Sequence, residues 1–216
     1  MASFSSLLFW RKKPPKVAVV RLSGVIVAET GPLRRGLNLN QIESQLKRAF
    51  TIPSVKAVTL VINSPGGSPV QSQLIAARIR QLATRHNVPV LAFCEDVAAS
   101  GGYWLAAAAD EIYANSASVI GSIGVISSGF GFPEALKRLG VERRVYTSGL
   151  SKSMLDPFSE EKDSDVAHLS ALQSDIHQLF IDYVKSRRGT RLSGADEELF
   201  SGKFWTENKE KSFGLV

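Results

Sequence analysis

Residues 57–62 read AVTLVI, an unbroken apolar run of strand length that stops at the turn sequence Asn63-Ser64-Pro65-Gly66-Gly67. Such a run is typical of a strand buried on both faces of a parallel sheet. After the turn, residues 70–85 put Leu74, Ala77, Ile79 and Leu82 on one broad face and Arg78, Arg80 and Arg85 outside it, which predicts an amphipathic helix. Residues 88–94 give a second apolar strand. Strand, turn, helix and strand in that order imply parallel strands joined by helical crossovers, so the fold class is α/β.

The rest of the chain extends this pattern. Residues 17–22 open the folded body as a β-branched strand, residues 31–40 form a polar loop, and Ile42, Leu46 and Ala49 recur at helical spacing. Downstream, residues 103–109 are alanine-rich and helix-prone. Residues 111–114 read as a short strand, 119–126 (VIGSIGVI) as a glycine-interrupted strand, 133–139 as a helix ending at Gly140, and 143–147 as a strand. Ser159, followed by Glu160 and Glu161, reads as the N-cap of a long helix marked by Val166, Leu169, Leu172, Ile176, Leu179, Phe180 and Tyr183 and closed by Gly189. A length of 216 residues suits one large domain with an appendage, here an N-terminal arm over residues 1–15 and a body over 16–216.

Composition removes several function classes. With 44% hydrophobic and 21% charged residues, the chain lies outside the regime of wholesale disorder. A single cysteine, Cys94, permits neither an internal disulfide nor a multi-thiolate zinc site. Arg11, Lys12, Lys13, Lys16 and Arg21, with no acid among the first 28 residues, carry +5 of the +6 net charge. The body is therefore nearly neutral, which argues against a nucleic-acid protein, whose basic stripe would lie on the domain itself. The apolar run at residues 4–10 is far short of the roughly 20 residues that span a bilayer, so no transmembrane helix is expected. Charges follow that run instead of preceding it, unlike a signal peptide. Residues 4–16 read either as an unstructured start or as an aromatic-basic patch on an anionic membrane surface, making the protein cytoplasmic or peripheral to a membrane.

Three serine- or glycine-rich clusters suggest acyl transfer. Ser100 falls at a strand-to-helix junction before Gly101 and Gly102, where it acts either as an N-cap or as an exposed nucleophile. Gly66 and Gly67 form either a plain turn or a pair of N–H donors for an oxyanion. No GxSxG elbow, Walker lysine or GxGxxG spacing is present. His86, at a helix end, and His168 and His177, within the long helix, are not placed to serve as a base. The remaining candidate is Lys152, flanked by Leu150, Met154, Leu155 and Phe158. Bringing a lysine from about 10.4 to near 7 costs about 4 to 5 kcal/mol and demands a dry site.

Taken together and in order, NSPGGS, AASGGYWLAAAAD, GSIGV and TSGLSKSMLDPFS resemble the signal-peptide peptidase A family of serine-lysine peptidases (SppA and SohB type) in the ClpP/crotonase superfamily. The resemblance covers residues 17–216. It implies a ClpP/crotonase-like spiral of strand-strand-helix units, with Ser100 as nucleophile, Lys152 as general base, and Gly66 and Gly67, chiefly the Gly67 N–H, as the oxyanion hole. It further implies that Gly121, Ser122, Ile123, Gly124, Val125 and Ile126 line the cleft and pair with an extended peptide as an added strand. No metal or cofactor is implied. The substrates would be apolar segments such as signal peptides or membrane-protein fragments. The assembly would be a homo-oligomer with sites at subunit interfaces, where serine and lysine come from neighbouring chains. Membrane-bound members of the family carry an N-terminal transmembrane tether, whereas this sequence has the short apolar-basic arm; Ser151 stands where an aromatic residue often precedes the family lysine. The sequence stops at the apolar ending Phe213-Gly214-Leu215-Val216, where similar proteins usually continue, and a missing tail is expected to weaken assembly. Two rival functions are a crotonase-like acyl-CoA enzyme, for which Glu95 and Asp96 are the acids nearest the proposed site, and an inactive scaffold at a membrane.

Overall fold

The computed structural model describes residues 14–29, 31, 36–149 and 151–216. The apolar-basic arm lies outside the described residues except for Pro14 and Pro15, as do residues 32–35 of the loop at residues 31–40.

Five strands form a sheet in the order β1 (Lys16–Ser23), β2 (Val55–Ser64), β3 (Val90–Ala99), β5 (Val119–Gly121) and β6 (Phe204–Thr206), and β4 (Glu111–Ala114) also pairs with β3. All pairings are parallel except that of β5 with β6. Helices α1 (Leu39–Thr51) and α2 (Pro69–His86) make the crossovers between β1, β2 and β3, as the strand-turn-helix pattern requires. The α/β class expected from the sequence is the class observed.

One sheet face holds the core. Val20, Leu22, Val58, Leu60, Ile62, Val90 and Ala92 are buried against Ile42, Leu46 and Phe50 of α1 and Ile75, Ile79 and Leu82 of α2. Each large apolar side chain removed from water in this way contributes about 1.5–3 kcal/mol. The opposite face differs from the sequence expectation. On β2, Ala57, Thr59 and Val61 are only half-buried, and on β1 Val17 and Val19 are exposed. An apolar run does not reveal whether a second layer covers it. The face of α2 is also rotated from its predicted position, since Ile75, Ala76 and Ala83 are buried while Leu74 and Ala77 face outward.

Helix α3 (Gly101–Ala106) follows β3 directly and is buried throughout. Its last turn and the residues beyond it present carbonyls that cannot be satisfied within the helix. Arginines from two other helices take them. Arg80 donates to Ala108 O (3.1 Å), and Arg187, from α5 (Asp163–Arg188), donates to Ala107 O (3.0 Å) and Ala109 O (3.1 Å). Arg191 reaches Asp110 O at 2.9 Å. The far end of α3 is thereby fixed from two sides.

Several segments depart from expectation. Residues 119–126 are strand only as far as Gly121, because Gly121 (φ +97°) and Ser122 (φ +52°) turn the backbone into the left-handed region. Residues 143–147 form no strand, and their side chains are exposed. Helix α5 starts at Asp163, not after Ser159, whose hydroxyl bonds Asp156 instead (3.2 Å). Helix α4 (Pro133–Arg138) ends before Gly140 as predicted.

Among the described residues, none from 124 to 179 is buried. That excursion holds itself together locally: Phe132 stacks on Phe158 at 5.6 Å, Arg143 lies over the Phe158 ring and pairs with Asp156 at 2.9 Å. Short helices α6 (Asp196–Leu199) and α7 (Glu207–Ser212) then bring the chain back. The apolar ending is core, with Phe213 and Leu215 buried and Leu215 O accepting from the Tyr103 hydroxyl at 2.8 Å.

Candidate active site

The carboxyl ends of β2 and β3 lie side by side, with Ser64 paired to Ala98. From them project the Gly66-Gly67 turn and the Ser100 junction. Ser100 has φ +52° and ψ −123°, a conformation that costs a non-glycine residue roughly 1–3 kcal/mol. Its N–H donates to Gly121 O at 2.8 Å, and its carbonyl accepts from Trp104 N–H at 3.1 Å. The hydroxyl makes no cap hydrogen bond, so the N-cap alternative is not realised. Ser100 is half-buried, on a sharp strand-to-helix turn, and its hydroxyl has no partner among the described residues.

The glycines allow this packing. A Cβ on Gly66 would fall 2.6 Å from Gly101 N and 2.8 Å from Ser100 Cβ, and one on Gly67 would fall 2.0 Å from Ile26 O. Gly67 forms a parallel bridge with Ile26, in which Ile26 N–H donates to Gly66 O (2.8 Å) and Ser68 N–H donates to Ile26 O (2.8 Å). Neither bond uses the Gly67 N–H. Gly101 is the first residue of α3, where a helix N–H has no intrahelical acceptor. Among the described residues, neither the Gly67 nor the Gly101 N–H has a partner, and a Cβ on Gly101 would lie 3.3 Å from Gly67 N. Two free amide donors thus adjoin one hydroxyl.

Gly66 does not supply such a donor, because its N–H already donates to Ser64 Oγ at 3.2 Å, and Ser64 in turn donates to Gly24 O at 2.7 Å. The sequence reading missed Gly101, although its position directly after a serine at a helix start is a usable signal.

A small cleft opens beside Ser100, lined by Gly67, Pro69, Gly101, Trp104, Gly124 and Val125, with Ile176 and Phe180 of α5 opposite. Of the six predicted cleft residues, Gly124 and Val125 therefore reach Ser100. Gly121 O is taken by Ser100, Ser122 N–H donates to Lys203 O (2.7 Å), Ile123 is buried, and Ile126 is exposed. The Gly121 carbonyl and the Ser122 N–H are therefore not open to an added strand.

Lys152 does not line the cleft and is exposed. Leu155 and Phe158, predicted to shield it, are 36% and 39% exposed, and Leu150 lies outside the described residues. Within a single chain no apolar wall covers the Lys152 side chain. The histidines are engaged elsewhere: His86 stacks near Phe50, His177 Nε2 meets Ile123 O at 2.9 Å, and His168 is exposed. Glu95 pairs with Arg21, and Asp96 accepts from Asn63 (2.6 Å).

One buried acid went unnoticed in the sequence. Glu210, on α7, is fully buried, and neither carboxyl oxygen has a hydrogen-bond partner among the described residues. A Cβ on Gly121 would touch its Oε1 at 2.8 Å. Burial pushes its pKa up to about 8. No cluster of potential metal ligands occurs among the described residues.

The profile of peptidase family S49 matches residues 83–216, a stretch that includes Ser100, Lys152 and every cleft residue except Gly67 and Pro69. The chain belongs to peptidase family S49. Its parallel-rich sheet with alternating strands and helices is consistent with the ClpP-like fold of that family. The chain is 32% identical to Protease 4 of Haemophilus influenzae over 94% of its own length and 32% of that protein. It is 29% identical to the chloroplastic serine protease SPPA of Arabidopsis thaliana over 93% of its length and 30% of that protein. It is also 52% identical, over 96% of its length, to 28% of a Brucella abortus protein named Na(+)/H(+) antiporter NhaA. The chain thus spans less than a third of each of these relatives. Among its described residues no helix is long and apolar enough to cross a membrane.

Proposed function

We propose that this S49 peptidase is a serine endopeptidase in which Ser100 is the nucleophile, Lys152 of a neighbouring copy is the general base, and the Gly67 and Gly101 amides bind the oxyanion. The observation that carries the reading is Ser100 itself: a strained turn, an unbonded hydroxyl, and two unpartnered N–H groups beside it. Strain of this kind persists where function requires it.

In the reaction, the Ser100 oxygen bonds to the scissile carbonyl carbon while neutral Lys152 takes the hydroxyl proton. The oxyanion accepts hydrogen bonds from Gly67 and Gly101. Lys152 then passes its proton to the amide nitrogen as the C–N bond breaks, leaving an acyl-enzyme. Water, deprotonated by Lys152, attacks the ester, and the proton returns to Ser100 as the acid leaves.

Lys152 needs a dry setting that a single copy does not provide. What supports a shared site is the excursion that carries it: no described residue from 124 to 179 is buried as a whole, and Ile126, Phe130, Leu139 and Tyr146 are 75–90% exposed. Exposed apolar side chains of this kind suit an interface between copies. Association between copies would cover it, desolvate the amine and bring it to the next Ser100. Apolar peptide segments are the substrate class that suits Val125, Ile176 and Phe180 in the cleft. Residues 16–216 form the peptidase domain in this reading, and residues 1–15 form an arm for the anionic face of a membrane. A crotonase-like reaction is disfavoured because Glu95 and Asp96 are already engaged and do not line the cleft.

A fluorophosphonate probe tests the dyad. Labelling is expected on Ser100 and is lost in both Ser100→Ala and Lys152→Ala; labelling that survives Lys152→Ala would overturn the base assignment.

A further inference from the structure

We propose that the enzyme selects a small side chain, alanine or serine, at the residue whose carbonyl is attacked. The inference rests on Ser100 being the nucleophile. The side chain of that residue begins two bonds from the carbonyl carbon. With the carbon at Ser100 and its oxygen at Gly67 and Gly101, the side chain must enter the cleft that those same residues line.

The recess of that cleft offers about 10 Å³ of free volume, room for about one water-sized sphere. A methyl or hydroxymethyl group fits such a space. An isobutyl group or a phenyl ring requires a wall to move.

The walls are fixed. Trp104 and Phe180 are buried and stack at 4.4 Å with their planes 13° apart, and Tyr183 stacks on Trp104 at 5.7 Å. Three packed rings have no free rotamer to swing into, because interiors are close-packed. Helix α5, which carries Ile176 and Phe180, is tied to the opposite wall where His177 meets Ile123 O at 2.9 Å, one residue before Gly124. Gly124 is backed in turn by Gly202, whose Cα would lie 3.0 Å from a Cβ at that position. Pro69 adds a rigid ring at the start of α2. The selectivity filter is therefore built between α3 and α5, and Ile176, half-buried and outside the ring stack, is its most replaceable wall.

The test uses apolar fluorogenic peptides that differ only at the acyl-side residue, as glycine, alanine, serine, leucine or phenylalanine, together with a small fluorophosphonate. For the full chain, kcat/KM for alanine and serine is expected to exceed that for leucine and phenylalanine by about tenfold or more, the scale of discrimination that pocket size supplies. Ile176→Ala is expected to raise the leucine-to-alanine ratio by about tenfold. Equal cleavage of the leucine and alanine peptides by the unmodified chain, with Ser100 labelled, would overturn the size selection alone. So would a folded Ile176→Ala variant whose ratio does not move. Absence of both labelling and cleavage would overturn the nucleophile assignment, and this inference with it.

Discussion

The amide of Ser100 donates to the carbonyl of Gly121 at 2.8 Å, tying the strained turn at the end of β3 to the last residue of β5. Gly121 is in turn pressed from behind by the buried carboxyl of Glu210 on α7. The C-terminal segment thus braces the turn that carries the Ser100 hydroxyl.

Gly67→Ala tests the other side of the site. Its Cβ would meet the Ile26 carbonyl at 2.0 Å in a backbone with φ +143°, so neither the side chain nor the turn can adjust cheaply. The variant is expected to lose about 2 kcal/mol or more of stability in urea unfolding and nearly all peptidase activity.

Ser100→Gly separates strain from function. Glycine adopts φ +52° without penalty, although it costs the unfolded chain more entropy to order. The variant should be inactive yet more stable by about 1 kcal/mol in urea unfolding, the pattern of an active site that trades stability for activity. A less stable variant would mean that the Ser100 turn is not strained.

Glu210 makes stability depend on pH with a definite sign. Its folded-state pKa, near 8, lies above the ordinary carboxyl value of 4.5, so the folded form holds a proton that the unfolded form has lost over that interval. Unfolding then releases a proton, and stability falls as pH rises from about 4.5 through about 8. Glu210→Gln keeps the shape without the charge. Urea titrations at pH 5 and pH 8 should show a smaller loss in the variant, which becomes the more stable protein at pH 8 by on the order of a few kcal/mol.

The alternation of apolar runs, turn signals and amphipathic stretches made β1 to β3, α1 and α2 legible, because each is set by local periodicity. Gly140 and Gly189 marked helix ends for the same reason. Residues 143–147 were misread because a β-branched stretch forms a strand only where a neighbour offers a ladder. The Gly66-Gly67 turn was recognisable, but hydrogen bonding decided which amides were free, and Ser64 Oγ takes the one on Gly66. Nor did the polar-looking helix at residues 207–212 announce that Glu210 is fully buried. Apolar neighbours along the sequence suggest a shielded Lys152, but in one chain Leu155 and Phe158 are partly exposed, since dryness is a property of what covers them.

The central claim is that one active site draws Ser100 from one copy and Lys152 from the next. Co-expressing Ser100→Ala with Lys152→Ala in equal amounts tests it directly. Random head-to-tail assembly gives about one quarter of the sites both intact residues, so about a quarter of unmodified peptidase activity should return although each variant alone is inactive. Mixed assemblies with no activity above that of either variant would contradict the account.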